Sequence, residues 1–115
     1  MLQYLNSCPF TVSVAIMRYT PNCPDGGDWT KEGWWNIPAG GSAIAYGGDL
    51  GAVYPWWCDY VMGGGRVWPG SGIYRYLTLR RFRWCEWTSS SDAFQANMFL
   101  FNVDGAADQT WNIVP

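Results

Sequence analysis

A chain of 115 residues with a formal net charge of -2, 49% hydrophobic and 18% aromatic, fits one domain and has ample apolar surface for a packed interior, which excludes disorder. Only 14% of the residues are charged and the basic ones form no tail or stripe, so nucleic acid is not an indicated partner. Histidine is absent, which removes the commonest general base and the commonest zinc ligand together.

The 14 glycines and seven prolines point to many turns rather than long helices. No run of about 18 apolar residues exists to form a membrane-spanning helix. Met1 to Ser7 carry neither a basic nor an apolar signal-peptide region. Phe10, Val12, Val14 and Ile16 then alternate with Thr11, Ser13, Ala15 and Met17, the period of two that predicts a strand with one buried face. Thr20 to Thr30 is turn chemistry throughout and reads as a long exposed loop, with Asp25 and Asp28 as turn formers rather than calcium ligands.

Gly33-Trp34-Trp35-Asn36-Ile37-Pro38 is the central signature. Side chains alternate along a strand, so Trp35 and Ile37 are expected to enter the core while Trp34 and Asn36 look outward. Pro38 to Gly41 turns the chain into a short strand over Ser42 to Tyr46, completing a three-strand meander. Val53 to Met62 repeats the double-Trp device. Its face with Cys58 and Tyr60 is expected inside, its face with Trp57 and Asp59 outside, and Pro55, lacking an amide hydrogen, at a sheet edge. Arg66 to Trp68 is a short extended piece. Ile73 to Trp87 changes parity at Arg80-Arg81, which predicts a bulge, a bend or two strands. Ala93 to Met98 reads as a single helical turn, and Met98 to Val103 with Thr110 to Val114 as a closing hairpin in which Phe99, Phe101 and Val103 face Trp111 and Ile113. With no helical period anywhere, the fold expected is all-β: residues 1–115 as a single antiparallel β-sandwich or barrel of about seven to eight strands with long loops.

Cys8, Cys23, Cys58 and Cys85 show no Cys-x-x-Cys knuckle, so no metal site is assigned; in a small Trp-rich chain they predict two disulfides and an oxidising compartment. Three connectivities are open. The segment from Phe10 to Arg18 spans about 30 Å when extended at roughly 3.3 Å per residue, which disfavours a Cys8–Cys23 bridge.

Val12-Ser13-Val14-Ala15, Trp29 followed by Gly33 to Gly40, Phe101-Asn102-Val103-Asp104-Gly105 and the late Trp111 together resemble the bacterial family called domain of unknown function 1036. The resemblance covers most of the chain in order. It implies a small exported or membrane-associated protein with several cysteines and brings no established activity. Gly41 and Ser42 stand where that family often has a cysteine, and Cys58 lies in a segment usually rich in tyrosine, so no disulfide pairing transfers.

Trp29, Trp34, Trp57 and Trp68 are the candidate binding residues, with Asn36 and Asp59 beside them. Sugar rings stack their apolar C–H faces on indoles while amides and carboxylates take the hydroxyls. The competing reading packs these indoles into the core. Outward indoles with sparse charge also suit self-association. No nucleophile elbow or phosphate loop is present, so no catalytic residue and no cofactor is assigned. Arg80, Arg81 and Arg83 read as a solvated strand face pairing with Glu86 or Asp59. The expectation is a non-catalytic binding module, extracellular or periplasmic, whose partner is a glycan or other cell-surface ligand; the alternative is a structural subunit that associates with copies of itself.

Overall fold

The computed structural model describes residues 1–115. The strands are β1 (Leu2–Asn6), β2 (Val12–Tyr19), β3 (Trp29–Ile37), β4 (Ser42–Tyr46), β5 (Trp56–Gly63), β6 (Arg66–Val67), β7 (Ile73–Leu77), β8 (Phe82–Cys85), β9 (Phe94–Asn102) and β10 (Gln109–Ile113), with one short helix, α1 (Leu50–Val53). They form two sheets. The larger runs β7-β9-β5-β2-β3-β8, with β6 paired to β5, and curls into a half-barrel; the smaller runs β10-β1-β4.

β2 is apolar on both faces because it lies in the middle of a sheet covered on both sides, not on one as its alternation suggested. Val12, Val14 and Ile16 join Leu2, Tyr4, Ile37, Trp57, Phe101 and Ile113 in a core between the two sheets. Ala15 and Met17 point the other way, into a second core inside the half-barrel with Cys58, Tyr60, Leu77, Phe82 and Met98. β5 is likewise buried on both faces, so Trp57, expected outside, is fully buried, and its Nε1 donates to the Tyr54 carbonyl at 2.9 Å. Asp59, on the same face, is also buried.

Several pairings differ from the local reading. β1, in a segment with no strand assigned, is the centre of the smaller sheet and pairs in parallel with β10, so the fold is not wholly antiparallel. β4 leaves the meander to pair with β1. The closing hairpin does not form. β9 and β10 belong to different sheets, yet the rings of Phe101 and Trp111 do meet, 5.3 Å apart, because the two sheets face each other there. The expected helical turn does not form over Ala93 to Met98, since Phe94 to Met98 pair with β7 as strand. Pro55 lies just before β5, which is an interior strand between β9 and β2. The parity change at Arg80-Arg81 separates β7 from β8 as two strands.

One disulfide forms, Cys23–Cys85, with Cα atoms 5.7 Å apart, tying the long loop before β3 to β8. Cys8 and Cys58 are free and buried. They cannot complete a second bridge because they lie in different cores on opposite sides of the larger sheet.

β7 and β8 are the two edges of the half-barrel, and side chains of β3 bridge the gap toward β7. Lys31 Nζ donates to the carbonyls of Tyr76 at 2.6 Å and Thr88 at 2.8 Å, and Trp34 Nε1 donates to that of Thr78 at 2.8 Å. Burial and the neighbouring Arg75 lower the Lys31 pKa to about 8. Glu86 is taken by Arg75 at 2.8 Å and Arg80 pairs with Asp92 at 2.9 Å, so the arginines after β7 serve neither Glu86 nor Asp59.

Candidate functional site

The six candidate binding residues do not form one platform. Trp29 packs edge-on against Tyr19 and Tyr54, with ring centroids 5.6 and 5.7 Å away, and Trp57 is in the core. Trp34 and Asn36 meet at a surface cleft, while Asp59 and Trp68 line a separate cavity.

The cleft arises from a break in the pairing of β3. Val14 pairs with Trp35 and Ala15 with Gly33, so Trp34 is the extra residue of a bulge. Gly33 suits this point because a Cβ there would come within 2.9 Å of the Phe82 ring and 3.1 Å of Ala15 Cβ. The bulge interrupts alternation: Trp34 turns toward Tyr60, Phe82 and Phe94 in the half-barrel, whereas Trp35 packs against the core between the sheets. Both indoles are half-buried: Trp35 packs on the core as expected, whereas Trp34, expected in solvent, turns into the half-barrel. Pairing with β8 ends at Gly33 with Phe82, leaving the edge of β3 beyond it uncovered. There the two indoles, Ser13, Glu32, Asn36 and Arg81 enclose about 510 Å³. Ser13 Oγ donates to Asn36 Oδ1 at 2.6 Å, which leaves the exposed Asn36 amide hydrogens to meet a ligand.

The cavity lies where β1 and β10 cross β5, at one end of the inter-sheet core. It holds about 220 Å³, with Tyr4, Asp59 and Ile113 among its buried walls and Trp68, Phe99 and Trp111 nearer its mouth. Tyr4 Oη donates to Asp59 Oδ2 at 2.7 Å, and no other hydrogen bond reaches that carboxyl. Burial raises the Asp59 pKa to about 7, the Tyr4 bond opposing the rise. Burial and then the Asp59 charge push the Tyr4 hydroxyl well above its ordinary value. The Cys58 thiol next in sequence is pushed up to about 12 by burial first and Asp59 second, so it is an unreactive thiol rather than a nucleophile.

Tyr4, Phe99 and Trp111 at the cavity and Ser13, Glu32, Trp35 and Arg81 at the cleft stand outside the candidate set read from the sequence. Tyr4 carried a signal: Leu2, Tyr4 and Asn6 alternate with Gln3 and Leu5 and form the buried face of β1. Ser13 and Arg81 carried none, because their place beside Trp34 depends on the bulge. A scan against protein-family models matches no family, and searches of curated proteins and of solved structures return no match.

Proposed function

We propose that the chain is a non-catalytic binding module of an extracellular or periplasmic protein and that it takes a saccharide in the Trp34–Trp35 cleft. The carrying observation is the composition of that cleft. Two half-exposed indoles offer apolar faces, and Ser13, Glu32, Asn36 and Arg81 offer donors and acceptors around them, the combination a sugar ring requires. The Cys23–Cys85 bridge supports an oxidising environment, and no helix is long and apolar enough to cross a membrane.

Because Trp34 also seals the half-barrel, the test falls on the rim. Asn36→Ala, at an exposed position, is expected to abolish retention on a glycan array with the unfolding midpoint unchanged. Full retention by that variant, or no glycan retained by the parent protein, would sink the reading.

Self-association is the second reading, favoured by one observation: Tyr74 and Tyr76 stand 53% and 51% exposed on the terminal strand β7. Sedimentation velocity across a concentration series decides it, a monomer throughout counting against it.

A further inference from the structure

We infer that the cavity between the sheets is a second binding site, for a small apolar amine whose ammonium group sits against Asp59. Three features converge on this chemistry. The first is an unpaired buried acid. Ion pairs of the protein engage Glu32, Glu86, Asp92 and Asp108, and none engages Asp59. Its Oδ2 is held by Tyr4, and its Oδ1 meets no protein donor yet is not sealed off, since Trp111 Nε1 is the one fully buried side-chain polar atom lacking a partner. A buried carboxylate without a counter-charge is costly, and a bound cation removes that cost.

The second feature is the lining. Trp68, Phe99 and Trp111 present aromatic surface around the acid, and ring faces attract organic cations. Trp68 already carries the exposed Arg66 guanidinium 4.8 Å from its ring centroid. No other cation sits over a ring of the lining, and Tyr4 of β1 is the titratable group that meets Asp59 directly; Cys58 and Tyr60, its neighbours on β5, belong to the core on the other side of the sheet. The third is size. The volume of about 220 Å³ exceeds the roughly 150 Å³ of a cavity that admits benzene, so a single ring with a short amine arm fits.

Tyramine, a single ring with a short ammonium arm, serves as the probe, with p-cresol as its uncharged counterpart. Calorimetric titration at pH 8 is expected to show tyramine binding at least about a hundredfold tighter than p-cresol. Its affinity should fall about a hundredfold by pH 5, as Asp59 takes up its proton, at about tenfold per pH unit below the carboxyl's pKa. Asp59→Asn should bring tyramine down to the affinity of p-cresol, its unfolding midpoint being recorded alongside to show that the fold is retained. Equal affinities of the two probes at pH 8, a flat pH profile in the parent protein, or undiminished tyramine binding by the folded variant would each overturn the inference. No saccharide enters the experiment, so it stands or fails apart from the cleft.

Discussion

Replacing Asp59 with asparagine is expected to stabilise the protein, and to do so only above mildly acidic pH. In the folded state the carboxyl is buried and its pKa is raised from 3.8 to about 7. Between those values the folded protein holds a proton that the unfolded chain has released. The folded state therefore binds more protons, and stability falls as pH rises through the window, levelling off above pH 7. At about 1.36 kcal/mol per pH unit, the interval corresponds to at most about 4 kcal/mol. The asparagine oxygen can still accept from Tyr4, but a neutral acceptor holds that hydroxyl less strongly by about 1 kcal/mol, and access of water from the cavity softens the penalty further. The expected net gain at pH 8 is about 2 kcal/mol, shrinking to near zero at pH 5. Urea unfolding of both proteins at pH 5, 6, 7 and 8, with the disulfide intact, measures the difference at each pH. All other titrating groups cancel in that difference. A gap that does not change with pH, or a parent protein more stable than the variant at pH 8, would refute the argument that Asp59 is buried with its charge uncompensated.

The single bridge makes a covalent prediction: alkylation in denaturant without reductant should add two groups, at Cys8 and Cys58, and four after reduction, as read by intact mass. Since the bridge spans 62 residues, its loss in Cys85→Ser should destabilise the protein by about 4 kcal/mol through loop-closure entropy, measured by urea unfolding. Trp57→Ala removes an indole with no exposed surface and should cost about 3 to 5 kcal/mol, whereas a change below about 1 kcal/mol would mean that the indole is not in the core.

The sequence by itself determined the things that depend on neighbours along the chain. Alternation in Phe10 to Met17 marked β2, the parity change at Arg80-Arg81 marked the boundary between β7 and β8, and the Pro-Gly-Asp composition of Thr20 to Thr30 marked the loop that the Cys23–Cys85 bridge anchors, although Trp29 and Thr30 already belong to β3. The tertiary structure alone decided what depends on residues far apart. Parallel pairing of β1 with β10 joins the two ends of the chain, and no local pattern encodes a partner at that distance. Burial of Trp57 and Asp59 follows from a second layer covering β5, which reverses the expectation that one face of an amphipathic strand meets water. Cys8 and Cys58 look like a second pair in an even count, but a sheet stands between them. The double Trp shows the limit most clearly. Alternation assigns Trp34 and Trp35 to opposite faces, and they do point to opposite sides of the sheet. Both sides are packed, however, and one extra residue at the bulge brings the half-exposed flanks of the two indoles to the same uncovered edge of β3, so the candidate site is a product of a pairing irregularity.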